Sequence, residues 1–236
     1  MLGTMPATMP ATNHSPETLH CLLTRHIIET GHAPGLQKLA DLAGLTEEKT
    51  AEVLRKLEEM HGVILAPNSL RIWSLHPFAL NPTSLWVSTA TGGWWANCAW
   101  CSLGIWAAIK QDVNIFTSGG GEESSLDFSI ESGQTRRKDL LMHFPYPPHT
   151  WWDNPFAPCA NILFFSSEAQ LDSWCLRHAH PRGSVLPIDV AVRLADLWFG
   201  DYASPDWVRK TPARAAEIFN ELGLDKSFWK MSGSFR

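Results

Sequence analysis

The sequence predicts an α+β fold, and three observations point to it. A leucine-spaced helical stretch near the N-terminus runs into a short hairpin pattern. Apolar runs of four to six residues follow, bounded by Gly, Pro and Ser as in a mainly antiparallel sheet. Amphipathic helical stretches lie between and after those runs, placed to flank the sheet. The expected division is a flexible tail over residues 1–15, a winged helix-turn-helix over 16–80, and an α+β sheet domain over 81–236.

Helical spacing of Leu19, Leu22, Leu23, His26 and Ile27 predicts a helix over residues 17–30, with Ser15-Pro16 as its start signal. After the break at 31–35, Leu36, Leu39, Ala40 and Leu42 predict a short second helix. Thr46 is placed to cap a third helix, with Val53, Leu54 and Leu57 facing inward. Residues 61–73 read as a hairpin, which completes the winged helix-turn-helix pattern. DNA binding is not expected of it, because Lys49, Arg55 and Lys56 are outnumbered by Glu47, Glu48, Glu52, Glu58 and Glu59.

The proline-bounded stretch 76–83 reads as a connector and domain seam. Residues 85–89 and 94–97 read as strands joined by a turn at 91–93, and 98–109 as a buried helix. Strands are expected at 112–116 and 126–130, joined by an exposed polar turn at 117–125. The aromatic and proline-rich stretch 143–152 suits a rigid wall over a pocket. A buried strand at 162–165, a helix capped by Ser166-Ser167-Glu168, an amphipathic helix at 186–198 and a last helix from Thr211-Pro212 to Leu222-Gly223 complete the reading.

The chain is 44% apolar and 18% charged, which describes a globular protein and excludes overall disorder. A net charge of -5 gives no support for phosphate binding. No apolar run approaches the ~20 residues that a membrane helix needs. The N-terminal residues lack the basic and apolar regions of a secretory signal, so a cytoplasmic protein is expected. Five cysteines are too few and too uneven for a disulfide scaffold, and a Cys-x-x-Cys pair favours metal or redox work.

Cys21 and Cys175 read as small buried hydrophobes. Cys98 and Cys101 fall at a helix start, where the helix dipole and unpaired N–H groups favour the thiolate. Cys159 precedes a core strand. The three together offer a soft pocket suited to mercury, cuprous copper or zinc, and His143 and His149 are the histidines considered as a fourth ligand.

The stretch Cys98-Ala99-Trp100-Cys101-Ser102-Leu103 resembles the Cys-Ala-x-Asp-x-Leu segment of the alkylmercury (organomercurial) lyases. Cys159, Asn161 and Phe164-Phe165 resemble that family's second cysteine and its Phe-Phe strand. The resemblance implies that Cys98 and Cys159 hold the mercury of an R–Hg compound, and that Cys101 occupies the position of the proton-carrying aspartate. A second register would put Gly104 at that position, but the first preserves more of the motif. Cys98, Cys101 and Cys159 are therefore the candidate catalytic residues and the candidate metal ligands. No cofactor is required on this reading: mercury is substrate and product ion, and copper or zinc would be adventitious. The expected partner is a small organometallic or other small molecule, with neither DNA nor membrane. The alternatives are a non-enzymatic thiolate binder of a soft metal and a relative recruited to another lyase or transfer reaction through covalent cysteine chemistry.

Overall fold

The computed structural model describes residues 15–122, 125–151 and 156–231. Residues 1–14, most of the expected tail, lie outside it, as does Trp152 of the expected wall. Three helices open the described chain: α1 (Pro16–Thr30), α2 (Leu36–Ala43) and α3 (Glu47–Glu59). Ser15 Oγ accepts the Thr18 N–H, while Pro16 occupies a first-turn position where no N–H is needed. Thr46 caps α3 in the same way through the Lys49 N–H. The apolar stripes of these helices, including Leu23, Ile27, Leu39, Leu54 and Leu57, are buried.

A hairpin of β1 (Ile64–Leu65) and β2 (Ile72–Leu75) follows. The expected connector at 76–83 contains a strand of its own, β3 (Phe78–Ala79), which pairs with β2 on one side and with β5 (Gly93–Ala96) on the other. Pro77 and Pro82 bound this strand rather than prevent it. Phe78 is fully buried, and Ser74 Oγ donates to its carbonyl oxygen, so the short segment is held from both sides. With β4 (Trp86–Ser88), β6 (Val113–Ser118) and β7 (Ser125–Ile130), the result is one antiparallel sheet in the order β1-β2-β3-β5-β4-β6-β7. It runs unbroken from the N-terminal hairpin to the strands beyond the buried helix.

A second sheet, in the order β10-β8-β9, is built from β8 (Leu141–Phe144), β9 (Leu163–Phe165) and β10 (Ser184–Pro187). Two expectations are corrected here. The expected wall at 143–152 begins inside β8, because Met142, His143 and Phe144 are buried between two neighbouring strands and the prolines come only afterwards. The helix expected from Leu186 starts at Ile188, since residues 184–187 pair with β8 first. Pro187 is tolerated as the last strand residue, where a missing N–H costs no ladder bond further on.

A third correction concerns the glycines expected in an exposed turn at 117–125. Gly119 and Gly120 are buried. Gly120 has φ +64°, and a Cβ there would stand 2.7 Å from Phe165 Cε1. The segment is glycine-rich because a chain reversal passes close over an aromatic ring. Residues 123–124 lie outside the description.

The remaining helices are α4 (Ala99–Ile109), α5 (Phe156–Asn161), α6 (Glu168–His178), α7 (Ile188–Phe199) and α8 (Pro212–Glu221). α4 is apolar almost all round and buried along its length apart from half-buried Trp106, as expected of a helix at the centre of a core. It packs on α7 at Gly104, where an added Cβ would meet the Phe199 ring at 2.6 Å. No described helix is long and apolar enough to cross a membrane.

Candidate metal-binding active site

Cys98 is the N-cap of α4. Its backbone is extended, at φ -160° and ψ 177°, and its Sγ accepts the Cys101 N–H at 3.4 Å. Sulfur thus does what a serine or aspartate oxygen commonly does at a helix start, with the positive end of the dipole favouring its anion. Cys101 follows one turn later. Its thiol lies close to that of Cys159, on α5, and both neighbour Cys98. The Ala99 N–H donates to the Ile162 carbonyl at 3.0 Å, pinning the start of α4 to the residue just after α5. This bond explains how positions some sixty residues apart in sequence come to share one site.

The structure brings together all three cysteines named from sequence. It adds a residue that sequence reasoning missed: His76, in the turn between β2 and β3, whose Nε2 lies 3.4 Å from Cys159 Sγ. Ligand atoms of His76, Cys101 and Cys159 all fall within 4.8 Å of one another. The histidines considered from sequence stand elsewhere. His143 is buried with Nε2 between the carbonyl oxygens of Pro181 and Arg182, at 3.2 and 3.0 Å. His149 sits in the 3-10 turn Pro148–Thr150. No sequence signal favoured His76 over the other nine histidines, since only the β2–β3 turn aims it inward.

The surroundings of the three thiols push them in different directions. Burial alone would raise the pKa of Cys98, but hydrogen bonds from the Cys101 thiol, the Cys159 thiol and the Cys101 N–H, with His76 nearby, carry it well below the ordinary thiol range. Burial and the hydrogen bonds to the other two sulfurs push Cys101 well above that range. For Cys159 the hydrogen bond with Cys101 acts downward, yet the bond with Cys98 and burial outweigh it and hold the thiol high. The directions favour the anion at Cys98, the N-cap sulfur, over Cys101 and Cys159. Burial also lowers the pKa of His76, against the pull of Cys98, so its ring is neutral.

A cavity of about 120 Å³ opens beside Cys101, Cys159 and His76. Trp100, Trp151, Trp198 and Phe199 form its aromatic side, with ring centroids 5.0–5.3 Å from Trp100. His20, Tyr202 and Trp207 line another part, His20 lying flat on Trp207 at 3.7 Å. Among the described residues no Asp or Glu lines it. A dry cavity of similar order accepts a benzene ring, so a small alkyl or aryl group fits the space. Cys21 and Cys175 are buried away from the cluster. Cys21 Sγ donates to the Ala203 carbonyl at 3.6 Å, and Cys175 lies 3.9 Å from His143 Nε2.

Fold and site together define an α+β protein with a partly buried cluster of three sulfurs and one imidazole, a donor set that matches soft and borderline metals. Residues 78–200 match the MerB family, described as alkylmercury lyase, and the chain belongs to that family. Among solved structures, the mercury-bound form of MerB2 aligns with a TM-score of 0.64 at 18% identity, covering 84% of this chain and 94% of that one. At that identity the likeness speaks for the fold. No curated protein matches the chain.

Proposed function

We propose that this protein cleaves carbon–mercury bonds of small organomercurials by protonolysis at Cys98, Cys101 and Cys159. The observation that carries the reading is the convergence of three sulfurs: Cys98 caps α4 and accepts the Cys101 N–H, while Cys101 and Cys159 bring their sulfurs within 4.8 Å of each other beside the cavity. Family membership supports the substrate class.

In the proposed sequence the Cys98 thiolate takes the mercury of an R–Hg cation, forming a neutral S–Hg–R adduct. Cys159 sulfur then bonds to the same mercury and gives its proton to Cys101, while the Cys101 proton passes to the departing carbon. One C–Hg bond breaks, one C–H bond forms, and mercury remains on two sulfurs; no electron leaves the system. Soft sulfur–mercury bonding strengthens as the carbon is protonated, which lowers the barrier on both sides of the transfer. The aromatic cavity would hold R and keep water from the developing carbanion.

Cys101 stands where the family motif has aspartate, and no carboxylate among the described residues lines the cavity to replace it. Its thiol is therefore assigned as the proton carrier. Anaerobic incubation with phenylmercury, with benzene measured by gas chromatography, tests the function directly. Catalytic benzene release is expected; stoichiometric mercury uptake with no hydrocarbon would overturn the enzymatic reading.

A further inference from the structure

We propose that His76 Nε2, Cys101 Sγ and Cys159 Sγ form a zinc(II) site, occupied when no organomercurial is present. Three features support it. The donor atoms lie within 4.8 Å of one another, so an ion can reach all three with small side-chain adjustments. They come from three separate elements, the β2–β3 turn, the first turn of α4 and α5, and the backbone of each is fixed by the surrounding sheet and helix packing. One imidazole with two thiolates is a donor set that suits zinc.

All three residues border the cavity, while Cys98 lies behind them. An ion held there keeps its fourth position toward the cavity, as zinc does in catalytic rather than closed structural sites. Binding replaces the thiol protons of Cys101 and Cys159, so each zinc taken up releases two protons and no redox partner is needed. The ion occupies two of the sulfurs assigned above to the mercury reaction, so mercury captured at Cys98 gains its second sulfur only as zinc leaves. The zinc site itself does not depend on carbon–mercury cleavage.

The test uses the full chain, reduced and freed of metal by chelation, then titrated with zinc against a competing chelator dye. One equivalent is expected. His76→Ala and Cys101→Ser are each expected to weaken binding by more than the roughly 10–100-fold that an outer-shell partner is worth. X-ray absorption on the zinc-loaded wild type avoids any question of variant folding. It should show two sulfurs near ~2.3 Å and an imidazole nitrogen near ~2.0 Å. Phenylmercury added to the loaded protein should release the zinc stoichiometrically, whether or not benzene forms. The proposal is overturned if zinc is not taken up, if the first shell lacks either sulfur or imidazole, or if zinc is retained while mercury is bonded to two sulfurs of the cluster. A protein that binds zinc as described and yet never releases benzene would refute the lyase reading alone.

Discussion

In the proposed reaction Cys101 carries the proton, and two substitutions test that role. Cys101→Asp restores the acid of the family motif and should keep or raise benzene release from phenylmercury. Cys101→Ala leaves the other two sulfurs but no proton carrier, and turnover should fall by about 10²–10⁴-fold, the usual worth of a positioned acid. Equal rates for wild type and Cys101→Ala would remove Cys101 from the mechanism. A second prediction concerns Cys98: thiolate ultraviolet absorbance, read as wild type minus Cys98→Ser, should persist to pH values well below the ordinary thiol range. The three sulfurs were legible in the sequence because Cys-x-x-Cys at a helix start and a cysteine before a core strand are local patterns. His76 was not legible, because its place depends on the pairing of β3, and a two-residue strand between prolines leaves almost no periodic signal.

At the scale of elements, the contact of α4 with α7 sets where the sulfurs stand. Gly104→Ala would drive a methyl group into the Phe199 ring, since the added Cβ stands 2.6 Å from Cδ2. A loss of about 1–3 kcal/mol is expected in urea unfolding, the usual cost of overpacking a filled core. Helix α1 carries a different liability in His20, which is 1% exposed and whose pKa is pushed down to about 3 by burial, then by Lys210 and His76. The unfolded imidazole titrates near its ordinary 6.5, so the folded state loses stability as pH falls from 6.5 toward about 3 and keeps it in full above that window. His20→Phe retains a ring to stack on Trp207. It should reduce the slope of stability against pH in that window by about one proton, measured by denaturant titration at several pH values. Helices were the most readable elements: the caps at Ser15, Thr46, Ser167 and Thr211 all accept the expected N–H groups. The strands at 141–144 and 184–187 were harder to see. Each is four residues long, and their partners lie some forty positions away.

At the scale of the molecule, the unbroken seven-stranded sheet and a core cluster that takes in both Leu23 of α1 and Ala195 of α7 couple the N-terminal helices to the site. Trp94 Nε1 adds a tie across them, donating to the Ile27 carbonyl at 2.9 Å. The described chain should therefore unfold in one transition, with far-ultraviolet circular dichroism and tryptophan emission changing together; separated midpoints would contradict this. On the exposed surface of α3, Glu52 pairs with Lys49 and Lys56 at 2.7 Å each.

The ring of Trp100, seated between two cysteines in sequence and packed among Trp151, Trp198 and Phe199, gives the protein a built-in optical gauge. An ion as heavy as mercury lodged at the neighbouring sulfurs enhances spin–orbit coupling and darkens nearby indole emission, while a light ion such as zinc does so far less. The same cuvette signal can thus tell which of the two ions has arrived, without a label.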